Sequence, residues 1–483
     1  MADTSRGSNA ADGLARALRA SQVVAEVVGV AFGPAGRGVM VQGPAGDMAI
    51  TRDAMNILEA VFSPERSSDL GCEEVVLLQS ARSLRQQAGD GVKCMLLTAG
   101  VLLHHLQRLR GVELAKARLA LNRVGMALSN SLPRGAAVPA VDATSVVESV
   151  LATRFTRDVA AAFLPAASSL LRAVDDVQFL RRHLPVLCRR RQASGHSVAD
   201  SLLRDGLVVD SSTLHFVAEG RVERRRVVVL AGDGGDDVLD VQAAVTALLA
   251  DVADVSDVLV VTAAALSDVS LFALRLRGAA VLHCVPEEDE RFLMERLLDS
   301  KDDLVVDVRV EHRGAAWLGL DGVRQLQVHA PTQQLANELG TALRDAVQLL
   351  CFANSVRVPG SALCPGGGWL ERELHRALGG TPLGRDELLV WHQQQREKRE
   401  PPPVVAQLVE AFQCVREEDA VFKALVEAVA AVPRALLRQH PLQPPPEPVA
   451  LRVAVLQHAV AAVNTFLSVD HVLAAKRAPS RIP

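Results

Sequence analysis

Residues 33–60, GPAGRGVMVQGPAGDMAITRDAMNILEA, and residues 89–103, GDGVKCMLLTAGVLL, decide the fold. The first stretch begins on a turn, GPAG, whose glycines and proline end the apolar helix predicted over residues 13–32. Two short β-prone runs around Gly43-Pro44 predict a hairpin after that turn. Asp53 is a good N-cap, so we expect the next helix to begin there.

Two glycine turns in these stretches have the chemistry of phosphate-binding loops. Free backbone N–H groups at a helix start hold phosphate oxygens, and a neighbouring carboxylate can hold Mg²⁺. Gly89-Asp90-Gly91 stands in that position before an apolar helix, and GPAGR at 33–37 is a second candidate. Each motif alone is also typical of an ordinary turn or helix C-cap. Both interpretations therefore stay open on these residues.

The patterning along the chain is helical, then α/β, then helical again. Residues 70–132 and 138–188 have helical periodicity, and PAASS at 165–169 is predicted to separate two helices of the second segment. Short β-rich runs alternate with helices from Gly195, and helices return from about Pro331. The middle is therefore predicted to be an α/β insertion into an outer domain made from both chain ends.

The composition favours several domains in a reducing compartment. A chain of 483 residues exceeds the ~250–300 residues over which a single core grows. With a net charge of −4 the chain has no field to hold a polyanion, so no nucleic acid is expected as a partner.

Seven scattered cysteines without a CxxC pair favour neither disulfides nor zinc. The polar N-terminal residues, and the lack of an evident apolar run of ~18 residues, predict a cytoplasmic protein without membrane insertion.

Six blocks in a common order resemble group II chaperonins, the family of the thermosome and the cytosolic chaperonin. The family pattern of its nucleotide-binding half is GPxGR, GDxxITNDG and GDGTT, which the two opening stretches resemble. The other four blocks are GHSVADSLLRDGLVVD at 195–210, TALRDAVQLL at 341–350, VPGSALCPGGGWLERELHRAL at 358–378 and FLSVDHVLAAKR at 466–477. Details of the first turn, GDG and PGGG are similar to the Bardet-Biedl syndrome chaperonin-like branch.

The resemblance implies an α+β multidomain chaperonin fold with a discontinuous helical equatorial domain, a small intermediate domain and an inserted α/β apical domain. The expected segments are equatorial 1–135 and 351–483, intermediate 136–194 and 306–350, and apical 195–305. Only residues 233–256 fill the span where the family carries a helical lid protrusion. A turn followed by one helix is predicted there, so the lid is shortened.

The resemblance also implies ATP and Mg²⁺ as cofactors and assigns their site. Asp90 would hold the metal, and Asp53 and Asp345 would position the attacking water as catalytic residues. The residues predicted to bind the nucleotide are Gly33, Pro34, Gly36, Gly89, Asp90, Gly91, Lys93, Gly366, Gly367 and Gly368.

Departures from the family pattern favour binding without efficient turnover. Ala54 replaces a glycine, and Val92, Lys93 and Cys94 replace threonines whose hydroxyls contact phosphate. Lys93 either places a cation on the phosphates or fills an emptied pocket with charge.

Three functions remain open from these observations. The first is a chaperonin-like subunit that works with other chaperonin-like subunits and the cytosolic chaperonin to assemble a ciliary complex, in the cytoplasm or at the centrosome and base of the cilium. The second is an autonomous ATP-hydrolysing chaperonin subunit for cytosolic clients, and the third is a nucleotide-free scaffold. The shortened lid and altered GDG block weigh against the second.

Overall fold

The computed structural model describes the greater part of the chain. The described residues are 10–33, 35–42, 48–62, 71–131, 141–174, 176–192, 196–210, 213–215, 222–230, 238–251, 255–300, 304–312, 315–356, 362–381, 383, 401–415, 419–437 and 445–468. The chain divides into two compact units. Unit 1 consists of residues 1–164 and 341–483, and unit 2 consists of residues 165–340.

The elements follow the chain in this order. The helices are α1 (Ala10–Val30), α2 (Ala54–Val61), α3 (Cys72–Ala88), α4 (Val92–Leu106), α5 (Gly111–Ser131), α6 (Ala143–Arg154), α7 (Arg157–Ala173), α8 (Val177–Leu187), α9 (Val238–Asp251), α10 (Asp268–Leu276), α11 (Glu287–Asp299), α12 (Gln333–Ser355), α13 (Trp369–Ala377), α14 (Pro403–Gln413), α15 (Asp419–Val429), α16 (Ala431–Leu437) and α17 (Val449–Ser468). The strands are β1 (Val39–Gln42), β2 (Met48–Thr51), β3 (Cys188–Gln192), β4 (Leu202–Asp205), β5 (Leu207–Asp210), β6 (Thr213–His215), β7 (Glu223–Val229), β8 (Val258–Val261), β9 (Ala280–His283), β10 (Val305–His312), β11 (Ala315–Gly319), β12 (Arg324–Ala330), β13 (Leu363–Cys364) and β14 (Glu447–Pro448).

Unit 1 is a helical assembly around α4 and α17. Helix α4 contacts α1, α15 and α17, and α17 also packs on α3 and α5. Because α4 is surrounded in this way, residues on most of its faces are buried, as its apolar sequence predicts. The predicted hairpin is present, with Val39 opposite Thr51 and Gln42 opposite Met48 in antiparallel register. Both chain ends therefore contribute helices to one packed core.

Helix α17 corrects the expectation of no long apolar run. It is the one described helix long and apolar enough to cross a membrane by length and composition, with a mean hydropathy of 1.4 over its apolar window. Its window is 72% buried inside unit 1, and core helices pass the same test. Contacts with α3, α4 and α5 account for its apolar sequence. This is weak evidence for a membrane span.

Unit 2 contains a seven-stranded sheet in the order β5-β11-β10-β7-β8-β9-β6 and a three-stranded sheet in the order β3-β12-β4. Strands β7, β8 and β9 are parallel neighbours, as expected of α/β patterning. The boundary predicted after residue 305 is wrong, because it cuts through the larger sheet. Strand β10 pairs with β7 and β11, and β11 pairs with β5, so the sheet continues to Gly319.

Two local expectations for the chain around unit 2 have different outcomes. The predicted break at PAASS is wrong, because α7 continues through Pro165. Proline removes one intrahelical hydrogen bond, but Phe163, Ala167 and Leu170 are buried around it and their packing stabilises the helix. In the span of the predicted shortened lid, α9 is the expected single helix. The turn predicted before α9 lies outside the described residues.

Candidate functional site

Asp53 is the N-cap of α2, as the sequence predicts. Its Oδ1 accepts hydrogen bonds from the backbone N–H groups of Met55 at 2.8 Å and Asn56 at 3.2 Å. Its own N–H donates to the hydroxyl of Thr51 at 3.0 Å. The side chain is buried, so its charge needs partners beyond these backbone donors.

The Gly89-Asp90-Gly91 turn joins α3 to α4 and requires its glycines. Gly89 has φ 75° and Gly91 has φ 91°, both in the left-handed region that favours glycine. A Cβ on Gly89 would lie 2.1 Å from the backbone oxygen of Asp345 on α12. This close approach places the backbone of the predicted hydrolytic helix against the predicted phosphate turn. Asp345 and the turn are therefore neighbours, although Asp345 is 254 positions beyond Gly91 in sequence.

The three predicted acids meet around Arg154, the last residue of α6. Its Nη1 lies 2.6 Å from Oδ2 of Asp345 and 3.0 Å from Oδ2 of Asp53. Its Nη2 lies 3.9 Å from Oδ1 of Asp90 and donates to the backbone oxygen of Gly89 at 3.2 Å. We call Asp53, Asp90 and Asp345 the acid cluster. One buried guanidinium joins its three members.

Arg85 on α3 is a second cation of the acid cluster. Its Nη1 lies 3.1 Å from Asp53 Oδ1, and its Nη2 lies 2.7 Å from Asp345 Oδ2. Burial raises the pKa of Asp53, but Arg154 and Arg85, with the N-cap hydrogen bonds, outweigh burial and hold that pKa below its usual value. Burial lowers the pKa of Arg154, but the three acids outweigh it and the net shift is upward. The pair formed by Asp53 and Arg154 is therefore charged at neutral pH.

Lys93 lies in the first turn of α4 and donates to two backbone oxygens, those of Ala31 at 2.9 Å and Thr153 at 2.8 Å. Burial lowers its pKa to about 8, although Asp90 acts in the opposite direction. Of the two roles open from the sequence, this geometry favours a lysine that fills the pocket. The Lys93 ammonium therefore links Ala31, which follows α1, to Thr153 near the end of α6.

A cleft of about 260 Å³, open solvent at its mouth included, lies beside the acid cluster. Its lining residues are Asp53, Ala54, Met55, Arg85, Gly89, Asp90, Val92, Lys93, Thr153 and Arg154. Because that volume includes open solvent, the enclosed part of the cleft is smaller still and lies well below the ~300–1,000 Å³ of pockets for drug-sized ligands. Among the described site residues, the lining leaves out Asp345 and the glycines at 33, 36, 91 and 366–368. Pro34 lies outside the described residues.

Another turn that was predicted to bind nucleotide, Gly366 to Gly368, leads into α13 beside a different buried ion cluster. The Gly367 N–H donates to the carboxylate of Glu447 on β14. Arg452 of α17 lies between acids, with Nη2 2.5 Å from Glu371 and Nε 3.3 Å from Glu447. We call Arg452, Glu371 and Glu447 the triad. A carboxylate of the chain itself therefore contacts the turn that was predicted to bind nucleotide.

Arg85, Arg154 and the triad are the residues that sequence reasoning missed. A signal for Arg154 exists, because the spacing of Val147, Val150 and Leu151 places it on the buried face of α6. Arg452 likewise is a charged residue within the apolar helix α17. A buried charge implies a partner, but its sequence position does not name that partner.

Two of the three acids, Asp53 and Asp345, do not offer free ligand oxygens to Mg²⁺ as folded, whereas Asp90 has only the Thr153 hydroxyl at 3.4 Å and Arg154 at 3.9 Å beside it. The carboxylate oxygens are of the type that Mg²⁺ prefers. However, Asp345 Oδ2 already accepts from both arginines, and Asp53 is bound by them and by two backbone donors. Among the described residues, no group of three or more His, Cys, Asp or Glu side chains could hold a metal ion. The cations at this site are the chain's own.

Comparison with known proteins finds a family model that matches part of this chain. Residues 24–234 match the model of the TCP-1/cpn60 chaperonin family. The chain is 22% identical over 218 residues to thermosome subunit beta of Methanothermobacter thermautotrophicus, covering 44% of this chain and 39% of that protein. It is 25% identical over 234 residues to thermosome subunit alpha of Archaeoglobus fulgidus, with the same coverage of 44% and 39%. Identity to T-complex protein 1 subunit gamma of Caenorhabditis elegans is 23% over 223 residues, covering 44% and 40%.

The chain thus matches about two fifths of the length of these curated relatives. The match includes the hairpin, the Gly89-Asp90-Gly91 turn, α6 and the first strands of the α/β unit. The chain has the multidomain helical and α/β content of a chaperonin fold. Over residues 24–234 the chain is therefore similar to the TCP-1/cpn60 chaperonin family, and thermosome subunits are among its relatives.

Proposed function

We propose that the protein is a chaperonin-like subunit that assists folding and assembly of the ciliary Bardet-Biedl syndrome protein complex. The observation that carries this proposal is the family match over residues 24–234, which spans the hairpin, the GDG turn and the entry to the α/β unit. Details of the sequence favour the Bardet-Biedl branch, and its tenth protein in particular. These are the helix ending in GPAGR, the GDG followed by a small residue and lysine, and the PGGG before a short helix.

In this proposal the partners are other chaperonin-like subunits and the conventional cytosolic chaperonin, and subunits of the ciliary complex are the clients. The proposed location is the cytoplasm, including the centrosome and the base of the cilium. No nucleic acid takes part, since the chain has no excess of positive charge to hold a polyanion.

ATP hydrolysis is weak or lost in this proposal. Val92 and Cys94 offer no hydroxyl where the family pattern has threonines, and Lys93 is bonded to backbone oxygens. Each charge-assisted hydrogen bond is worth ~1.5–3 kcal/mol, so two lost hydroxyls cost on the order of a hundredfold or more in rate if they act on the transition state. A metal ion bound by Asp53 or Asp345 would in addition have to displace Arg154 from those carboxylates.

The proposal is tested by recovering the tagged protein from ciliated cells and identifying what accompanies it. A conventional chaperonin subunit with the same tag is the control. We expect the conventional chaperonin and ciliary complex subunits to accompany this protein, and the ciliary subunits to be enriched over the control. Recovery of neither class would contradict the proposed function.

The autonomous ATPase is separated from this proposal by single-turnover hydrolysis with purified protein. We expect turnover at least a hundredfold below that of a conventional chaperonin subunit, in line with the estimate above. Asp90→Ala and Asp345→Ala are the matched variants. Robust turnover by the wild type that both substitutions abolish would restore the autonomous ATPase.

A further inference from the structure

The acid cluster is electrically complete without any added ion. Its three carboxylates face three cations of the chain, Arg85 and Arg154 by direct contact and Lys93 at longer range. Arg52 also lies near Lys93. Its Nη1 donates to the backbone oxygen of Phe155 at 2.7 Å. The two positive charges of Mg²⁺ would therefore enter a region in which the chain's own cations already balance the carboxylates. Repulsion from the guanidinium groups would oppose them.

The acceptor positions of Asp53 and Oδ2 of Asp345 are also committed, whereas Asp90 accepts only from the Thr153 hydroxyl at 3.4 Å. A carboxylate offers about four acceptor positions. Asp53 uses four of them, for Met55, Asn56, Arg85 and Arg154. Mg²⁺ needs ligand oxygens at ~2.0–2.1 Å in octahedral geometry, so it cannot share these oxygens with the guanidinium groups in place.

Three different elements deliver these partners. Arg154 ends α6, Arg85 lies on α3, and the acids belong to the α2 cap, the α3–α4 turn and α12. Arg154 is buried, with 8% of its side chain exposed, so it is held inside the packed unit and not at its surface. Its removal would leave Asp53 and Asp345 buried with one cation fewer.

We propose that Arg154, assisted by Arg85, is a built-in counter-ion that takes the place of a divalent cation in the acid cluster. The cluster then holds α2, α3, α6 and α12 together as a structural ion network, and it keeps this shape without Mg²⁺ or nucleotide. This inference rests on the proposed chaperonin-like role only in identifying the cluster with the family's nucleotide site. The side-chain geometry supports it separately.

The test compares the wild type with Arg154→Gln and Arg85→Gln. The matched control is Arg82→Gln. Arg82 lies on α3, as Arg85 does, and it pairs with Glu59, but the side chains of both partners are about half exposed. Each protein is melted in EDTA, in saturating MgCl₂ and in Mg-ATP. Binding of Mn²⁺ is measured on the folded proteins by electron paramagnetic resonance.

We expect the wild type and Arg82→Gln to melt at the same temperature in all three solutions and to bind no Mn²⁺. Arg154→Gln should melt on the order of 5–10 °C lower in EDTA and regain part of that loss in MgCl₂. It should also bind Mn²⁺, because the three acids then have one cation fewer and the oxygens that Arg154 occupied are released. Arg85→Gln should change in the same direction by a smaller amount.

Three results would each overturn the inference. The first is binding of Mn²⁺ by the wild type. The second is stabilisation of the wild type by Mg-ATP that Asp90→Asn removes, and the third is a folded Arg154→Gln whose melting temperature does not respond to metal. If Arg154→Gln does not fold, the wild-type and Arg85→Gln measurements still decide the question. Failure of the proposed function would appear as absent partners in the recovery experiment, whatever the metal result.

Discussion

Replacing Arg452 by methionine should destabilise unit 1 strongly. Arg452 is buried with 4% of its side chain exposed, and it faces Glu371, which is 2% exposed, and Glu447. Methionine keeps most of the apolar stem but removes the cation, so two largely buried acids remain without their arginine. Breaking a buried pair by removing one partner costs ~3–5 kcal/mol. An exposed pair such as Arg82–Glu59 is worth only ~0–1 kcal/mol, so Arg82→Met is the control.

The assay is hydrogen exchange of the α17 amides, read by mass spectrometry. A protein with two compact units is not expected to unfold in one step, so a local measurement is preferable to a single denaturation curve. A loss of ~3 kcal/mol accelerates exchange by about a hundredfold, because each ~1.4 kcal/mol is a factor of ten. Arg82→Met should change the same amides by less than about fivefold.

The loss in Arg452→Met should depend on pH with a definite sign. Burial raises the pKa of Glu447, and the charge of Arg452 partly offsets this. Removing Arg452 therefore raises the pKa of Glu447 further. An acid whose folded pKa exceeds its unfolded value contributes stability below the unfolded pKa of ~4.3, and that stability is lost as the pH rises through the folded pKa. The variant should therefore lose more at about pH 8 than at about pH 5.5. Equal exchange in Arg452→Met and Arg82→Met at both pH values would refute the reasoning.

Two further substitutions test the site. Gly89→Ala forces a Cβ against the backbone oxygen of Asp345, so it should cost ~1–3 kcal/mol more than Gly111→Ala, whose residue also has positive φ but open space around it. Equal thermal shifts for the two would argue against the close approach. Burial lowers the pKa of Lys93 to about 8 in the folded protein. Between about pH 8 and pH 10 the unfolded state therefore binds more protons than the folded state. The stability of the wild type relative to Lys93→Met should rise with pH across that window. A stability difference that is flat in pH would contradict the buried ammonium.

The local features of the site could be predicted because local chemistry determines them. The Asp53 cap requires only a short acceptor ahead of a helix, and the GDG turn requires glycines at positive φ. The hairpin likewise follows from two β-prone runs and the turn signal between them. These are the features that the resemblance also identified, and they place the acids at element ends. Their roles in binding or catalysis remain predictions.

Packing overrode the sequence patterns elsewhere. Pro165 and its small neighbours are typical of a break, but buried side chains around them keep α7 continuous. The apolar character of α17 is spread around the helix because α3, α4 and α5 surround it, and no periodicity reports how many neighbours a helix has. The sheet of unit 2 also extends past the predicted boundary, because strand pairing depends on partners that are distant in sequence.

The sequence by itself determined the order of elements, the turns and caps, and the acids of the candidate site. Only the tertiary structure decided what those acids contact. Arg154 and Asp345 are 191 residues apart, and Arg85 and Asp345 are 260 apart. A charge on a buried helix face requires a partner, but the free energy of an ion pair depends on distance and burial, and both arise only when separate helices pack.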